Sequence, residues 1–126
     1  MRPDFYQVEP YVTPGNVDGP ESPNFGRGGW AWYTGSAAWL FRVSTEWILG
    51  VRPTWDGLLI DPCLPPGWKG FAMRRAFRGS VYNITVRTGA ARAEVSVDGE
   101  RWASNLIPAF ADGREHEVVV RLPRKK

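Results

Sequence analysis

The residues best suited to chemistry are Thr34-Gly35-Ser36, in which two hydroxyl side chains flank a glycine. A helix is predicted to begin here, and helix N-termini expose backbone N–H donors and carry a partial positive charge that favours phosphate. Because Gly35 lacks a Cβ, an anion can approach the backbone amides closely. These residues therefore suggest an oxyanion site. The alternative is that Thr34 only caps the helix and Gly35 forms a tight turn.

The helix that positions this site is predicted over residues 36–49. Its apolar positions follow the spacing of a buried helical face, and the set comprises Ala37, Leu40, Phe41, the small Ser44, Trp47 and Ile48. Gly50 stands where a left-handed C-terminal cap is expected. The helix has apolar residues on most faces, and the rest of the chain offers too little surface to bury it.

Four of the seven tryptophans fall between positions 30 and 47. Tryptophan packs helices together or faces the apolar side of a sugar ring. Trp39 and Trp47 lie inside the predicted helix, so we expect them to pack in a core. Trp30 and Trp32 precede the helix and are better placed to form the wall of a substrate cleft.

Length and composition limit the possible classes of protein. The chain has 126 residues, a net charge of +3 and one cysteine, Cys63. One cysteine cannot form an internal disulfide, and it fits a reducing compartment. No apolar run approaches the ~20 residues of a membrane helix, and no signal peptide is evident. We therefore expect a cytoplasmic protein that binds neither membrane nor nucleic acid, with the basic tail 121–126 simply solvated.

After residue 56 the pattern changes to the period of two that is typical of strands. Strands are predicted at 58–60, 71–78, 80–87, 92–97, 100–103, 105–110 and 115–122, with a two-residue turn at Asp98-Gly99. Short, regularly spaced strands predict an antiparallel β-sandwich. Residues 1–29 are rich in proline and glycine and predict an extended loop. We therefore divide the chain into 1–55, a loop and one helix without a core, and 56–126, a β-sandwich domain.

Several spaced blocks resemble one known family. They are Trp32-Tyr33-Thr34-Gly35-Ser36-Ala37, Ile48-Leu49-Gly50-Val51-Arg52-Pro53, Asp56-Gly57-Leu58, Ile60-Asp61-Pro62 and Phe77-Arg78-Gly79. In this order they resemble the C-terminal end of the inverting glycoside phosphorylases of glycoside hydrolase family 94. That family includes cellobiose, cellodextrin and chitobiose phosphorylases and the phosphorylase part of cyclic β-glucan synthases. The resemblance covers roughly residues 9–86.

The resemblance implies a fold and a reaction. Residues 1–55 would be the end of a catalytic (α/α)6 barrel, with its last helix, and 56–126 a jelly-roll-like sandwich. The family cleaves β-glycosides with inorganic phosphate as co-substrate and inverts the anomeric centre, giving a sugar 1-phosphate. Because phosphate is itself the nucleophile, the scheme is that of an inverting glycosidase without a general base. No metal or other cofactor is implied.

The resemblance also assigns residues. Thr34 would donate its hydroxyl and Gly35 its backbone amide to the phosphate, and Ser36 would add a further donor. The family's catalytic aspartate, and the arginine and histidine that share the phosphate, lie upstream in the barrel. His116, the only histidine, falls in the last strand and is expected at the surface, while Asp56 and Asp61 are expected in turns. The chain alone is therefore expected to be inactive.

Three hypotheses remain open from the sequence. The chain is the C-terminal fragment of a phosphorylase, acting with the missing barrel portion or a second chain on a β-linked oligosaccharide and phosphate. Alternatively it is a free-standing carbohydrate-binding β-sandwich module. The strands offer that module only Phe71, Phe77, Tyr82 and Trp102, most of them predicted to point inward. The third hypothesis is a structural remnant without a ligand.

Overall fold

The computed structural model describes residues 3–9, 12–32 and 35–123, and they are mostly β. The chain divides into two compact units, Met1–Ser44 and Thr45–Lys126. Thr34 lies outside the described residues, so nothing in the structure bears on its predicted role. Across the described ranges, no helix is long and apolar enough to span a bilayer.

The first unit contains little regular structure, as its proline and glycine content predicted. Its elements are α1 (Pro3–Tyr6), β1 (Asn16–Val17), β2 (Gly28–Gly29) and α2 (Ser36–Arg42). The short antiparallel pair β1–β2 was not predicted, and it is extended by a hydrogen bond from the Asp18 N–H to the Arg27 carbonyl at 2.9 Å. The Phe5 and Phe25 rings meet edge to face at 6.1 Å. The loop therefore has local contacts of its own.

The predicted helix over 36–49 is present, but it is not uniform. It is α-helical over α2 and continues as a π-helical segment, Val43–Ile48. Its N-cap residue is Gly35, one position later than expected. Gly50 follows the helix with φ +68, which confirms the predicted left-handed cap.

The second unit contains eight strands among its described residues. They are β3 (Val51–Pro53), β4 (Gly57–Ile60), β5 (Gly70–Phe77), β6 (Ser80–Ala90), β7 (Glu94–Val97), β8 (Glu100–Trp102), β9 (Leu106–Pro108) and β10 (Glu115–Pro123). The seven predicted strands are present with shifted ends, and β3 was missed. One sheet has the order β5-β6-β10-β7-β8 and the other the order β3-β4-β9.

The prediction of a wholly antiparallel sandwich was wrong at one pair of strands. β10 runs parallel to β6, with His116 opposite Tyr82 and Val120 opposite Val86, and antiparallel to β7. A parallel pair needs a crossover connection, and here β7, β8 and β9 provide it. The alternation of side chains is the same in both directions, so sequence periodicity cannot reveal strand direction.

Both sheets contribute side chains to one core. Alternation along the sequence predicts that Tyr82, Ile84 and Val86 share one buried face, and β6 buries all three. β10 buries Val118 and Val120 in the same way. Leu58, Ile60 and Ile107 join the cluster from the smaller sheet. Each such side chain contributes roughly 1.5–3 kcal/mol when buried. The two sheets are therefore held together by their apolar inner faces.

The prediction that His116 lies at the surface was wrong. Its side chain is buried, with Nδ1 2.8 Å from Oδ2 of Asp98 and Nε2 3.1 Å from Oδ1 of Asp112. Asp98 lies in the β7–β8 turn and Asp112 between β9 and β10. The Ser80 hydroxyl also donates to Asp112, and the Glu117 N–H donates to Asp98. His116 thus ties two loops to β10.

The charges of this cluster depend on one another. Hydrogen bonding to Asp98, and then to Asp112, raises the pKa of His116 above its ordinary value. The Arg114 backbone N–H, together with His116 and Ser80, lowers the pKa of Asp112 to about 2. A charged imidazole donates from both nitrogens, so protonated His116 satisfies both carboxylates.

We predict that this cluster makes stability depend on pH. Because folding raises the pKa of His116, its contribution is complete below about pH 6.5 and is lost as the pH rises through the folded-state pKa. Folding lowers the pKa of Asp98 and of Asp112. The stability that these two carboxylates contribute is therefore lost as the pH falls through their folded-state pKa values. His116→Gln should lower the free energy of unfolding at pH 6 by about 2 kcal/mol, since it removes charge-assisted hydrogen bonds. Urea unfolding between about pH 2 and 9 measures both effects, the loss from His116 at the upper end and the loss from the two aspartates at the lower end.

The matched control is Glu100→Gln, which neutralises an exposed carboxylate of β8 outside the cluster. In Glu100→Gln the free energy of unfolding should fall above pH 6.5 as it does in the wild type. In His116→Gln this dependence on pH should be much weaker. An unchanged slope in His116→Gln would contradict the assignment.

Gly50 provides a second test, because it combines a left-handed backbone with a close approach. Its carbonyl accepts a hydrogen bond from the Asp61 N–H at 2.8 Å, and a Cβ would overlap the Asp61 carbonyl oxygen. Gly113 also has positive φ, +76, but a Cβ there would meet open space. We expect Gly113→Ala to lower the free energy of unfolding by about 1 kcal/mol, because alanine disfavours the left-handed conformation. Gly50→Ala should lower it by about 2 kcal/mol more, because its Cβ would also overlap the Asp61 backbone. Equal losses in chemical denaturation would show that the close approach is relieved at no cost.

Candidate functional site

The predicted anion site begins at the N-cap of α2. Gly35 has φ −74 and ψ 0, and its carbonyl accepts the Trp39 N–H at 3.1 Å, closing the first helical turn. Gly35 is exposed, and among the described residues a Cβ placed on it would meet only the Trp39 ring, at 3.9 Å. The backbone on this side of Gly35 is therefore open to a small ligand. The assignment of Thr34, Gly35 and Ser36 to phosphate stays a prediction.

Trp30 and Trp32, the predicted cleft wall, lie on the surface of the first unit. Their side chains are 75% and 67% exposed. Both have positive φ, 54 and 70, which is uncommon for residues other than glycine. The Trp32 indole N–H points to the Glu9 carboxylate at a long 3.5 Å. Strained backbone is often found at functional sites, so these two residues remain candidates for ligand contact.

The prediction that Trp39 and Trp47 pack in a core was wrong for this chain. They are 66% and 59% exposed, and α2 has no buried residue. The Arg42 guanidinium lies 5.6 Å from the centre of the Trp39 ring, and that of Arg52 lies 4.9 Å from the Trp47 ring. The physical reason is the shortage of partner surface that the sequence already indicated for this helix.

The two carboxylates near the start of the sandwich have structural environments. Asp61 Oδ2 lies 2.8 Å from Arg52 Nη2, and the Asp61 N–H is bonded to Gly50. Asp56 lies in the β3–β4 turn, which the Thr54 hydroxyl closes by donating to the Gly57 carbonyl at 2.9 Å. Asp56 therefore lies in a turn, as expected, whereas Asp61 forms an ion pair with Arg52.

The sequence did not indicate the role of Arg52. Its Nη2 pairs with Asp61 and its guanidinium stacks on Trp47, while its buried Nε has no hydrogen-bond partner among the described residues. β3–β4 pairing brings these groups together, and a three-residue strand has too few positions to show periodicity.

A metal centre finds no support in the described ranges 3–9, 12–32 and 35–123, where no three His, Cys, Asp or Glu side chains are grouped to hold an ion.

Comparison with known families divides the chain at residue 50. Residues 2–50 match the Glycosyl hydrolase 94 superfamily, catalytic domain. Residues 51–118, more than half of the chain, match the Glycosyl hydrolase family 65, C-terminal domain. The two matches follow each other without a gap.

Individual relatives agree with these matches. Solabiose phosphorylase of Paenibacillus borealis is 36% identical over 93% of this chain, and N,N'-diacetylchitobiose phosphorylase of Vibrio furnissii is 36% identical over 91%. Cyclic beta-(1,2)-glucan synthase NdvB of Rhizobium meliloti (strain 1021) is 47% identical over 66% of the chain. The chain spans only 16%, 15% and 3% of the lengths of these three relatives.

These matches together place the chain in one family. The chain belongs to glycoside hydrolase family 94, where it corresponds to the C-terminal part of the family's phosphorylases and carries the C-terminal domain also found in family 65.

Proposed function

We propose that this chain forms the C-terminal part of a glycoside phosphorylase that cleaves a β-glycosidic linkage with inorganic phosphate and inversion, releasing a sugar 1-phosphate. The observation that carries the proposal is the succession of a catalytic-domain match over 2–50 and a C-terminal-domain match over 51–118. Relatives at 36% and 39% identity are named as phosphorylases of solabiose and of a glucosyl glucuronide. β-Linked oligosaccharides and phosphate are therefore the proposed substrates.

The proposed contribution of the helix start is to hold the phosphate. In this reaction a carboxylic acid protonates the leaving oxygen while phosphate attacks the anomeric carbon from the opposite face. The protein must keep the phosphate in line and balance its charge. The Thr34 hydroxyl and the Gly35 amide would do this, with Ser36 as a third donor. The exposure of Gly35 and the open space beside it support close approach by an anion.

The catalytic acid would come from the upstream part of the enzyme. Asp61 is held by Arg52 and Asp56 lies in an exposed turn, so neither is suited to protonate a glycosidic oxygen. This chain would therefore be inactive alone, and Trp30 and Trp32 would form part of the sugar cleft only in the assembled enzyme.

The proposed structural role of residues 1–55 is to complete an (α/α)6 barrel, with the helix beginning at Ser36 as its last helix. Residues 56–126 would be the jelly-roll-like sandwich. Support comes from the exposed apolar residues of the helix, which include Trp39 at 66%, Leu40 at 53% and Trp47 at 59%. Contiguous apolar surface of this kind marks an interaction site. The proposed partner is the remainder of the barrel, on the same polypeptide or on a second chain.

A chimera tests the phosphate assignment. In solabiose phosphorylase, the matching segment would be replaced by this chain, and sugar 1-phosphate release would be assayed against phosphate concentration. We expect Thr34→Val to raise the KM for phosphate about 10- to 100-fold, because it removes one hydrogen bond to a charged ligand. The KM for the sugar should change little.

The control for this experiment is Thr13→Val, the same change at a loop threonine outside the proposed site. It should leave both constants unchanged. A Thr34→Val chimera with the wild-type KM for phosphate would refute the residue assignment, whereas an inactive parent chimera would count against the proposed function.

A second prediction concerns the exposed helix. We expect the 126-residue chain to self-associate, because apolar side chains of α2 remain in water, and Leu40→Glu should shift it toward the monomer. Light scattering coupled to gel filtration measures the mass. The matched control is Val17→Glu, which places the same charge at a 54% exposed apolar residue of β1. Equal effects of the two variants would contradict an association through α2.

A further inference from the structure

A cavity in the second unit lies at one end of its two sheets and has a volume of about 1090 Å³. Its walls come from the segment that follows β4, from β8 and the turn after it, and from the ends of β6, β7 and β10. Binding pockets for small molecules are typically concave, partly apolar and of several hundred Å³. The residues of its wall that matter most here are Trp68, Lys69, Glu94, Arg101, Trp102 and Asn105.

Two indole rings lie among the apolar groups of this wall. Trp102 donates its indole N–H to the Leu106 carbonyl at 3.2 Å and meets the Phe110 ring edge to face at 6.4 Å. Trp68 is 50% exposed, and its carbonyl accepts the Thr88 hydroxyl at 3.1 Å. The Trp68 N–H is bonded to the Pro65 carbonyl at 3.2 Å in a proline-rich turn. The exposed Trp68 ring is therefore carried on an anchored backbone.

The polar part of the wall has both donors and acceptors. In the portion of the chain that the structure describes, the side chains of Lys69 and Arg101 make no hydrogen bond or ion pair, which leaves their donors available. The side-chain amide of Asn105 donates a hydrogen bond to the Ile60 carbonyl at 3.3 Å. Glu94 is an acceptor oriented by Arg92 at 2.9 Å. The carboxylates of Asp61 and Glu94 lie on the same walls and would repel a polyanionic ligand.

We propose that this cavity is a binding site for an oligosaccharide, separate from the phosphate site at the helix start. A sugar ring has an apolar C–H face and a rim of hydroxyls that both donate and accept hydrogen bonds. The Trp68 ring matches the first feature, and Arg101, Lys69 and Glu94 match the second. The cavity has room for more than one sugar ring. None of residues 30–36 lines it, so sugar binding in the cavity and phosphate binding at the helix start can be measured separately.

The test is titration of the 126-residue chain with cellotetraose, followed by saturation-transfer NMR and calorimetry, with glucose and inorganic phosphate as further probes. We expect saturable binding of cellotetraose, weaker binding of glucose and no competition by phosphate. Trp68→Ala should weaken cellotetraose binding at least tenfold, because exposed tryptophans at the centre of a site carry much of its affinity.

The matched control is Trp55→Ala, since Trp55 is 87% exposed and lies outside the cavity. It should leave the affinity unchanged, and Arg101→Ala on β8 should weaken it. Thermal unfolding of each variant verifies that it is folded. Absence of saturable cellotetraose binding, equal losses in Trp68→Ala and Trp55→Ala, or displacement of the sugar by phosphate would each overturn the proposal. Loss of activity in the chimera with cellotetraose binding retained would count against the proposed function alone.

Discussion

The second unit depends on the placement of β10 between β6 and β7. This strand pairs with β6 in parallel and β7 in antiparallel register, and its inward residues Val118 and Val120 are almost fully buried. Without β10 the larger sheet would separate into β5–β6 and β7–β8, and two-stranded sheets are marginal in water. The core, the loops tied by His116 and the walls of the cavity all require this insertion.

His116 shows how a polar group can be accommodated beside such a core. A buried imidazole without partners would be costly, but here each nitrogen faces a carboxylate and the ring lies 4.3 Å from that of Phe110. The partners come from two different loops, because Asp98 lies 18 residues and Asp112 lies 4 residues before His116. The cluster therefore fixes two loops to the inserted strand β10. Hydrogen bonds within the cluster, and not exposure to water, determine the charge of the imidazole.

The first unit differs from the second in the contacts that stabilise it. Its ordered contacts are local, and α2 has no buried side chain among the described residues. The match of residues 2–50 to a catalytic domain is consistent with the proposed packing of this helix against the rest of a barrel. The chain spans 16% of the length of a relative such as solabiose phosphorylase.

The sequence by itself determined the family, the mostly β character of the second unit, the faces of β6 and β10, the Asp98-Gly99 turn and the cap at Gly50. These follow from local rules: alternation places Tyr82 inward, and positive φ favours glycine at position 50. Only the tertiary structure decided the parallel β6–β10 pair, the burial of His116, the contacts of Arg52 and the cavity beside Trp68. Each of these results from the way strands and loops are arranged in space, and neither periodicity nor residue type carries information about such partners.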